Sequence, residues 1–172
     1  IGETIEESAG LFNIGLEGIL LLGALAGALG AQASGSATIG LFSGMATGAA
    51  VGLLFGFIGT TLRGSQLITG VGINLFALGF VALMLSVMGA PGFHSVSREV
   101  QVPLIPLGVG NLSPLVFLTV LLAVAVWWLL RRTQLGIWIR AVGENPAAAD
   151  VAGIRVNALR LGTAVAAGML AG

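Results

Sequence analysis

Few polar side chains fall inside the apolar stretches of this chain, and three of them could contact a polar solute. Glu17 follows Asn13 by four residues in LFNIGLEGILLLG, so within a helix the two side chains would share a face. A carboxylate in a membrane is costly unless it faces a cavity, a partner or the membrane boundary. Asn13 and Glu17 are therefore interpreted either as the lining of a solute path or as a structural polar lock. Asn74, in GVGINLFALGF, either lines a path or bonds a neighbouring helix.

Other reactive chemistry is sparse. The chain has one histidine, His94, no cysteine and no lysine, and its carboxylates are scattered. Neither a catalytic triad nor a metal-binding cluster can be assembled from these residues, so no catalytic residue, metal site or cofactor is predicted. A phosphate-binding loop requires a lysine, so any ATP that drives this protein must bind to a partner. His94 is interpreted as an ordinary loop residue.

A short polar module, ENPAAADVAG, has its own helix start and stop signals. Asn145 is a good N-cap, Pro146 fits the first helical position, and Gly153 is a natural terminator. A helix this short is unstable alone and must dock against something. The small face of Ala147 and Ala148 would fit a groove of a partner, with Glu144 and Asp150 at its rim. Packing on its own protein alone is the other interpretation.

The elements that hold these residues are predicted to be membrane-spanning helices. Only 8% of the residues are charged and mean hydropathy is +1.05, whereas soluble domains have about 25% charged residues. Apolar runs cover about residues 14–33, 39–62, 67–90 and 115–130, and a fifth begins near 161. Their length suits helices that cross a bilayer, and they lack the alternation of a β-barrel. The sequence predicts one all-α, polytopic helical bundle over residues 1–172, in a multi-pass plasma-membrane protein that is surrounded by lipid.

Arginines set the predicted orientation. Five of the seven basic residues, all arginines, lie in the stretch 131–160, which the positive-inside rule places in the cytoplasm as a loop around the short helix. Arg63 agrees with this scheme, and Arg98 is balanced by Glu99 on the outer side. The outer connection 91–114 holds four of the five prolines and is predicted to be a structured non-helical or re-entrant piece. The net charge is zero, so nucleic acid is not predicted as a partner.

The second apolar run carries a regular stripe of small residues. A glycine recurs at every fourth position, which permits close approach of another helix. Such a stripe is interpreted either as static close packing or as a sliding surface in a conformational cycle; both place this helix inside the bundle. Gly23 and Gly27 repeat the spacing in the first run. The stripe consists of Gly40, Gly44, Gly48, Gly52 and Gly56.

Four blocks of this sequence, in the same order, resemble the permease subunits of bacterial ABC importers. The branch is the branched-chain amino acid/ribose type, especially its nucleoside and simple-sugar members. The segments that carry the likeness are GETIEESAGLFNIGLEGILLLGA, RGSQLITGVGINLFALG, VPLIPLG and WWLLRRTQLGIWIRAVGENPAAADVAGI. The family often has a basic residue where Ile137 or Trp138 stands, a local departure.

The resemblance implies a transport subunit without catalytic activity. Residues Glu144 to Gly153 would form a coupling helix seated in a groove of an ATP-binding subunit. A second permease subunit, identical or different, and an extracytoplasmic solute-binding protein would complete the importer. The resemblance also implies further helices, so we expect this chain to be part of a longer permease. A branched-chain amino acid permease, and more remotely a secondary transporter or channel, are the alternatives.

Overall fold

The computed structural model describes residues 1–62, 64–89, 105–107 and 110–172. Within them the chain forms eight α-helices and one short hairpin. The first helices are α1 (Gly2–Ser8), α2 (Leu16–Ser34), α3 (Ala37–Gly56), which continues as a π-helix (Phe57–Thr61), and α4 (Gln66–Val87). The hairpin pairs β1 (Ile105–Leu107) with β2 (Gly110–Leu112), and the chain ends in α5 (Pro114–Arg132), α6 (Gln134–Glu144), α7 (Pro146–Val151) and α8 (Val156–Ala171).

Four of these helices are long and apolar enough to cross a membrane: α2, α3 with its π-helical end, α4 and α5. The predicted all-α polytopic bundle is thereby confirmed as the architecture. The fifth predicted segment corresponds to α8, a shorter apolar helix that begins at Val156 rather than near Leu161.

The region 131–160 is more helical than predicted. It was expected to be a loop around one short helix, but it contains the end of α5, all of α6 and α7, and the start of α8. The prediction missed α6 because two glycines, Gly136 and Gly143, interrupt its apolar pattern. A threonine N-cap starts α6: the Thr133 hydroxyl accepts a hydrogen bond from the Gly136 amide at 3.2 Å.

The glycine stripe of α3 lies between α2 and α8, and all five of its glycines are buried. At the N-terminal end of α3, a methyl group on Gly40 would come within 2.6 Å of the Ala31 side chain of α2. At the other end, a methyl on Gly52 would overlap the carbonyl oxygen of Ala164 in α8. Neighbouring helices present matching small residues at the same spacing, Gly23, Gly27 and Ala31 on α2 and Ala164, Gly168 and Gly172 on α8. Because backbones approach so closely here, dispersion contacts hold the three helices together.

The main apolar core forms where α2, α3, α4 and α8 meet beneath the connection from α1. Its buried members are Leu11, Ile19, Phe55, Ile73 and Ala164. By contrast, α5 packs extensively against α6 alone among the described elements. Much of the apolar surface of α4 and α5 therefore remains open, as suits helices that face lipid or other helices.

Part of the proline-rich outer connection is a β-hairpin. Ile105 pairs with Leu112 and Leu107 with Gly110 in antiparallel register. This hairpin fits the expected non-helical connection. His94, Arg98, Glu99 and the orienting Arg63 lie outside the described residues, so the predictions made for them stay predictions.

Candidate functional site

The short helix α7 begins as its sequence predicts. The Asn145 side-chain oxygen accepts a hydrogen bond from the Ala148 amide at 3.0 Å. Pro146 follows at the first helical position, where its missing N–H leaves no bond unmade. One of the amides without an intrahelical acceptor is thus satisfied by a side chain, which stabilises the N-terminal turn.

The C-terminal end of α7 is closed by two backbone hydrogen bonds. The Gly153 amide donates to the Asp150 carbonyl at 2.9 Å, and the Ile154 amide donates to the Ala149 carbonyl at 3.0 Å. This pair of bonds is the Schellman motif, which requires a left-handed residue at the position of Gly153. Gly153 has φ +85°, a conformation that favours glycine. Closed at both ends, six residues suffice to form a defined helix.

Only one side of α7 packs on the protein. Ala149 is buried at 4% exposure, whereas Val151 is 91% exposed. Ala147, Ala148, Asp150 and Ala152 are also exposed, and with Val151 they form what we call the outer face of α7. Val151 was not among the predicted site residues. Its position within the capped helix, next to Asp150 and away from Ala149, was the signal that could have identified it.

Tight backbone packing closes the turn from α5 to α6, the helix against which α7 packs. The Thr133 hydroxyl donates to the Leu129 carbonyl at 2.7 Å while it caps α6. Gly136 is buried, and a methyl group there would overlap the carbonyl oxygens of Leu129 and Leu130. The corner is therefore closed to larger side chains, so α6 has a fixed direction relative to the spanning helix α5.

A second apolar cluster joins the base of this region to the rest of the bundle. Ala9, Leu130 and Ile139 are its buried members, and Leu159 of α8 packs against it. The Arg160 guanidinium adds a polar tie, donating from Nε to the Ala9 carbonyl at 3.1 Å. Residues at the end of α1 and from α5, α6 and α8 meet in this cluster. Helix α7 itself packs on α6 and, more weakly, on α8.

A polar junction lies at the start of α2, where Asn74 of α4 contacts its backbone. The Asn74 side chain accepts from the Gly18 amide at 2.7 Å and donates to the Ile14 carbonyl at 2.9 Å. It therefore satisfies backbone groups that no helix turn can satisfy, because Ile14 precedes α2. The structure thus shows Asn74 bonded to the start of a neighbouring helix, and its place in a solute path stays a prediction.

Asn13 and Glu17 do not share a helix face, so that prediction was wrong. Because α2 begins at Leu16, Asn13 lies in the preceding non-helical stretch. The Asn13 amide donates to the two carboxyl oxygens of Glu6 at 3.0 and 3.3 Å, and its carbonyl accepts from the Gly15 amide at 3.0 Å. Glu17 is exposed in the first turn of α2, where the helix dipole favours a negative charge.

The buried carboxyl of this junction belongs to Glu6, which was not among the predicted site residues. Its side chain has 0% exposure. Burial raises the pKa of Glu6 from 4.5 to about 7, the hydrogen bond from Asn13 opposes this rise, and the charge of Glu3 adds to it. Gly2, Ile5 and Glu6 follow the i, i+3, i+4 spacing of one helix face, and all three are buried in α1. That spacing was the sequence signal that could have identified Glu6.

The whole chain, residues 1–172, matches the family model described as a branched-chain amino acid transport system permease component. The chain belongs to this permease family. With four helices suited to crossing a membrane, it is a multi-pass membrane protein.

Three relatives of this permease match it over its full length. A Haloferax volcanii protein named for glucose ABC transport is 33% identical and is covered over 55% of its own length. A nucleoside ABC transporter permease of Lactococcus lactis is 32% identical with 59% covered, and a guanosine ABC transporter permease of Bacillus subtilis is 31% identical with 59% covered. The chain thus spans somewhat more than half the length of these relatives. No solved structure matches it.

Proposed function

We propose that this permease is the transmembrane subunit of an ATP-driven importer of nucleosides or simple sugars in the plasma membrane. The outer face of α7 is the observation that carries the proposal. Helix α7 is capped at both ends, and the apolar tip of this face, Val151, has almost no contact with its own chain. Such a surface suits docking into a groove of an ATP-binding subunit, with α7 as the coupling helix.

Energy would enter through this contact. The chain has no lysine for a phosphate-binding loop, so ATP would bind and be hydrolysed on the partner. Closure of the ATP-binding subunits would displace α7 and, through its packing on α6 and α8, the cluster of Ala9, Leu130 and Ile139. A second permease subunit and an extracytoplasmic solute-binding protein would complete the assembly, and the pathway would alternate between outward and inward openings.

Relatives named for nucleoside, guanosine and glucose transport support nucleosides or sugars as solutes. A galactose/methyl galactoside import permease of Escherichia coli, 33% identical over 65% of this chain, supports the same class. The second candidate is a branched-chain amino acid, favoured by the description of the family model.

The test is uptake by the complete permease reconstituted with its ATP-binding subunit and solute-binding protein. Uptake of labelled guanosine, glucose and leucine is measured with and without ATP. We expect ATP-dependent uptake of guanosine or glucose and none of leucine. Uptake that persists without any ATP-binding subunit would refute the importer and indicate a secondary transporter or channel.

Two variants at one position test the role of α7. Val151→Asp places a charge on the apolar tip and should reduce uptake at least tenfold, while Val151→Ile keeps an apolar side chain and should preserve it. Because Val151 is 91% exposed, neither variant should change the thermal stability of the isolated permease. Equal uptake by both variants would remove α7 from the coupling mechanism.

A further inference from the structure

A groove lies between α1, α5 and α6, at the end where α5 leaves its apolar span. Its volume is about 510 Å³. Thr4 and Ser8 of α1 form one wall, and Val126 and Trp127 of α5 form the other. Arg131 and Arg140 lie at one end of the lining. We call this the basic groove.

The basic groove has two cationic groups and no carboxylate in its lining. Arg131 comes from the last turn of α5 and Arg140 from α6, and both side chains are exposed. Arg140 donates from Nε to the Gly136 carbonyl of its own helix at 3.4 Å. Neither arginine forms an ion pair with a carboxylate within the part of the chain that the structure describes. Two guanidinium groups that line one groove from different helices favour an anion with several acceptor oxygens, above all a phosphate.

The rest of the groove is apolar and follows a spanning helix. Val126 and Trp127 precede Arg131 on α5, so they lie toward the hydrocarbon while the arginine lies toward water. Tryptophan is typical of this boundary, where its ring contacts chains and its N–H contacts head groups. A free phosphate would use only the arginine end. An amphiphile with a phosphate and an acyl chain would use both ends.

We infer that the basic groove binds an anionic phospholipid, with its phosphate at Arg131 and Arg140 and an acyl chain along Val126 and Trp127. Anionic lipids are concentrated in the cytoplasmic leaflet, which is the side that the arginines predict for this end of α5. The lipid would bridge α5 to α1 next to the cluster of Ala9, Leu130 and Ile139. This inference does not depend on the transported solute.

The test measures lipid retained by the complete permease. The detergent-purified protein is exposed to equal amounts of phosphatidylglycerol and phosphatidylcholine, and bound lipid is counted by native mass spectrometry. We expect wild-type protein to retain phosphatidylglycerol preferentially. The double variant Arg131→Gln, Arg140→Gln should lose about 30-fold in that preference, which corresponds to about 2 kcal/mol for two cations near a lipid head group.

Arg132→Gln is the matched control, because Arg132 is an exposed neighbour on α5 that does not line the groove. Its preference should equal that of the wild type. Loss of preference to the same extent in Arg132→Gln would indicate general attraction to a basic surface and would overturn the specific site. An unchanged preference in the double variant would also overturn it, as expected if another part of the complete permease fills the groove.

Fluorescence gives a second measurement that does not depend on charge removal. The variants Trp127→Phe and Trp128→Phe separate the emission of the two tryptophans. Brominated phosphatidylglycerol should quench the Trp127 emission at a lower lipid content than the Trp128 emission, because of these two only Trp127 lines the groove. Brominated phosphatidylcholine should quench both contributions equally. Equal quenching by both lipids at Trp127 would contradict the proposal.

Discussion

Replacing Glu6 with glutamine should make the stability of the permease less dependent on pH. Full burial raises the pKa of this carboxyl from 4.5 to about 7 in the folded protein. Below pH 4.5 the group is protonated in both folded and unfolded chains, so it carries no penalty. As the pH rises from 4.5 to 7, the unfolded chain loses its proton while the folded protein keeps it, and the wild type loses stability. Above pH 7 that loss is complete.

The size of this loss of stability follows from the pKa shift of Glu6. The pKa of Glu6 rises from 4.5 to about 7, and each unit corresponds to about 1.36 kcal/mol. The unfolding free energy that is lost is therefore on the order of 3 kcal/mol. Glutamine imitates the protonated carboxyl and can still accept from the Asn13 amide. We therefore expect Glu6→Gln to match the wild type at pH 4.5 and to exceed its unfolding free energy by about 3 kcal/mol at pH 8.

The assay is thermal unfolding of the complete, detergent-solubilised permease between pH 4.5 and 8.5. Glu7→Gln is the control, because Glu7 neighbours Glu6 on α1 but is exposed. The midpoint difference between Glu6→Gln and the wild type should grow through the window from pH 4.5 to 7 and then stay constant. A difference that is independent of pH, or a destabilised variant at pH 8, would refute the assignment of Glu6 as a buried neutral acid.

Three further changes test the packing and the caps. Gly52→Val should lower the free energy of unfolding by about 1–3 kcal/mol, because its side chain would overlap the carbonyl of Ala164. The control Gly79→Val should have little effect, because a methyl group on Gly79 meets nothing within 4 Å. Equal melting temperatures of the two variants would contradict the close packing of α3 and α8. Asn74→Leu removes both hydrogen bonds to the start of α2 and should lower the free energy of unfolding by about 1–3 kcal/mol, measured by thermal unfolding. An unchanged unfolding midpoint would mean that water replaces the amide. Asn145→Ala should cost α7 about 1 kcal/mol and speed its amide exchange, and unchanged exchange would show that the cap is dispensable.

The sequence was sufficient for features that depend on local signals. The long apolar runs predict α2 to α5 because a bilayer demands helices of that length, and the structure places these helices within a few residues of the expected bounds. The ends of α7 follow from Asn145 and Gly153, since capping depends on the residue and its immediate neighbours.

Features that depend on tertiary packing could not be predicted in the same way. A carboxylate is normally exposed, so Glu6 was not predicted to be buried, although helix α1 buries it against the bundle. The pairing of Asn13 with Glu17 failed because helix α2 begins later than the apolar run does. The match between the stripe of α3 and the small residues of α8 requires knowing that these two helices are neighbours.

A coupling role for α7 requires its outer face to contact an ATP-binding subunit. Its most direct test is disulfide cross-linking in the assembled complex, with a cysteine at Val151 paired with cysteines along the groove of the partner. The control cysteine replaces Val116, which is exposed near the opposite end of α5. Cross-links from Val151 alone, with a yield that changes when ATP binds, are the predicted result. No cross-link from Val151, or equal yield from Val116, would contradict the account.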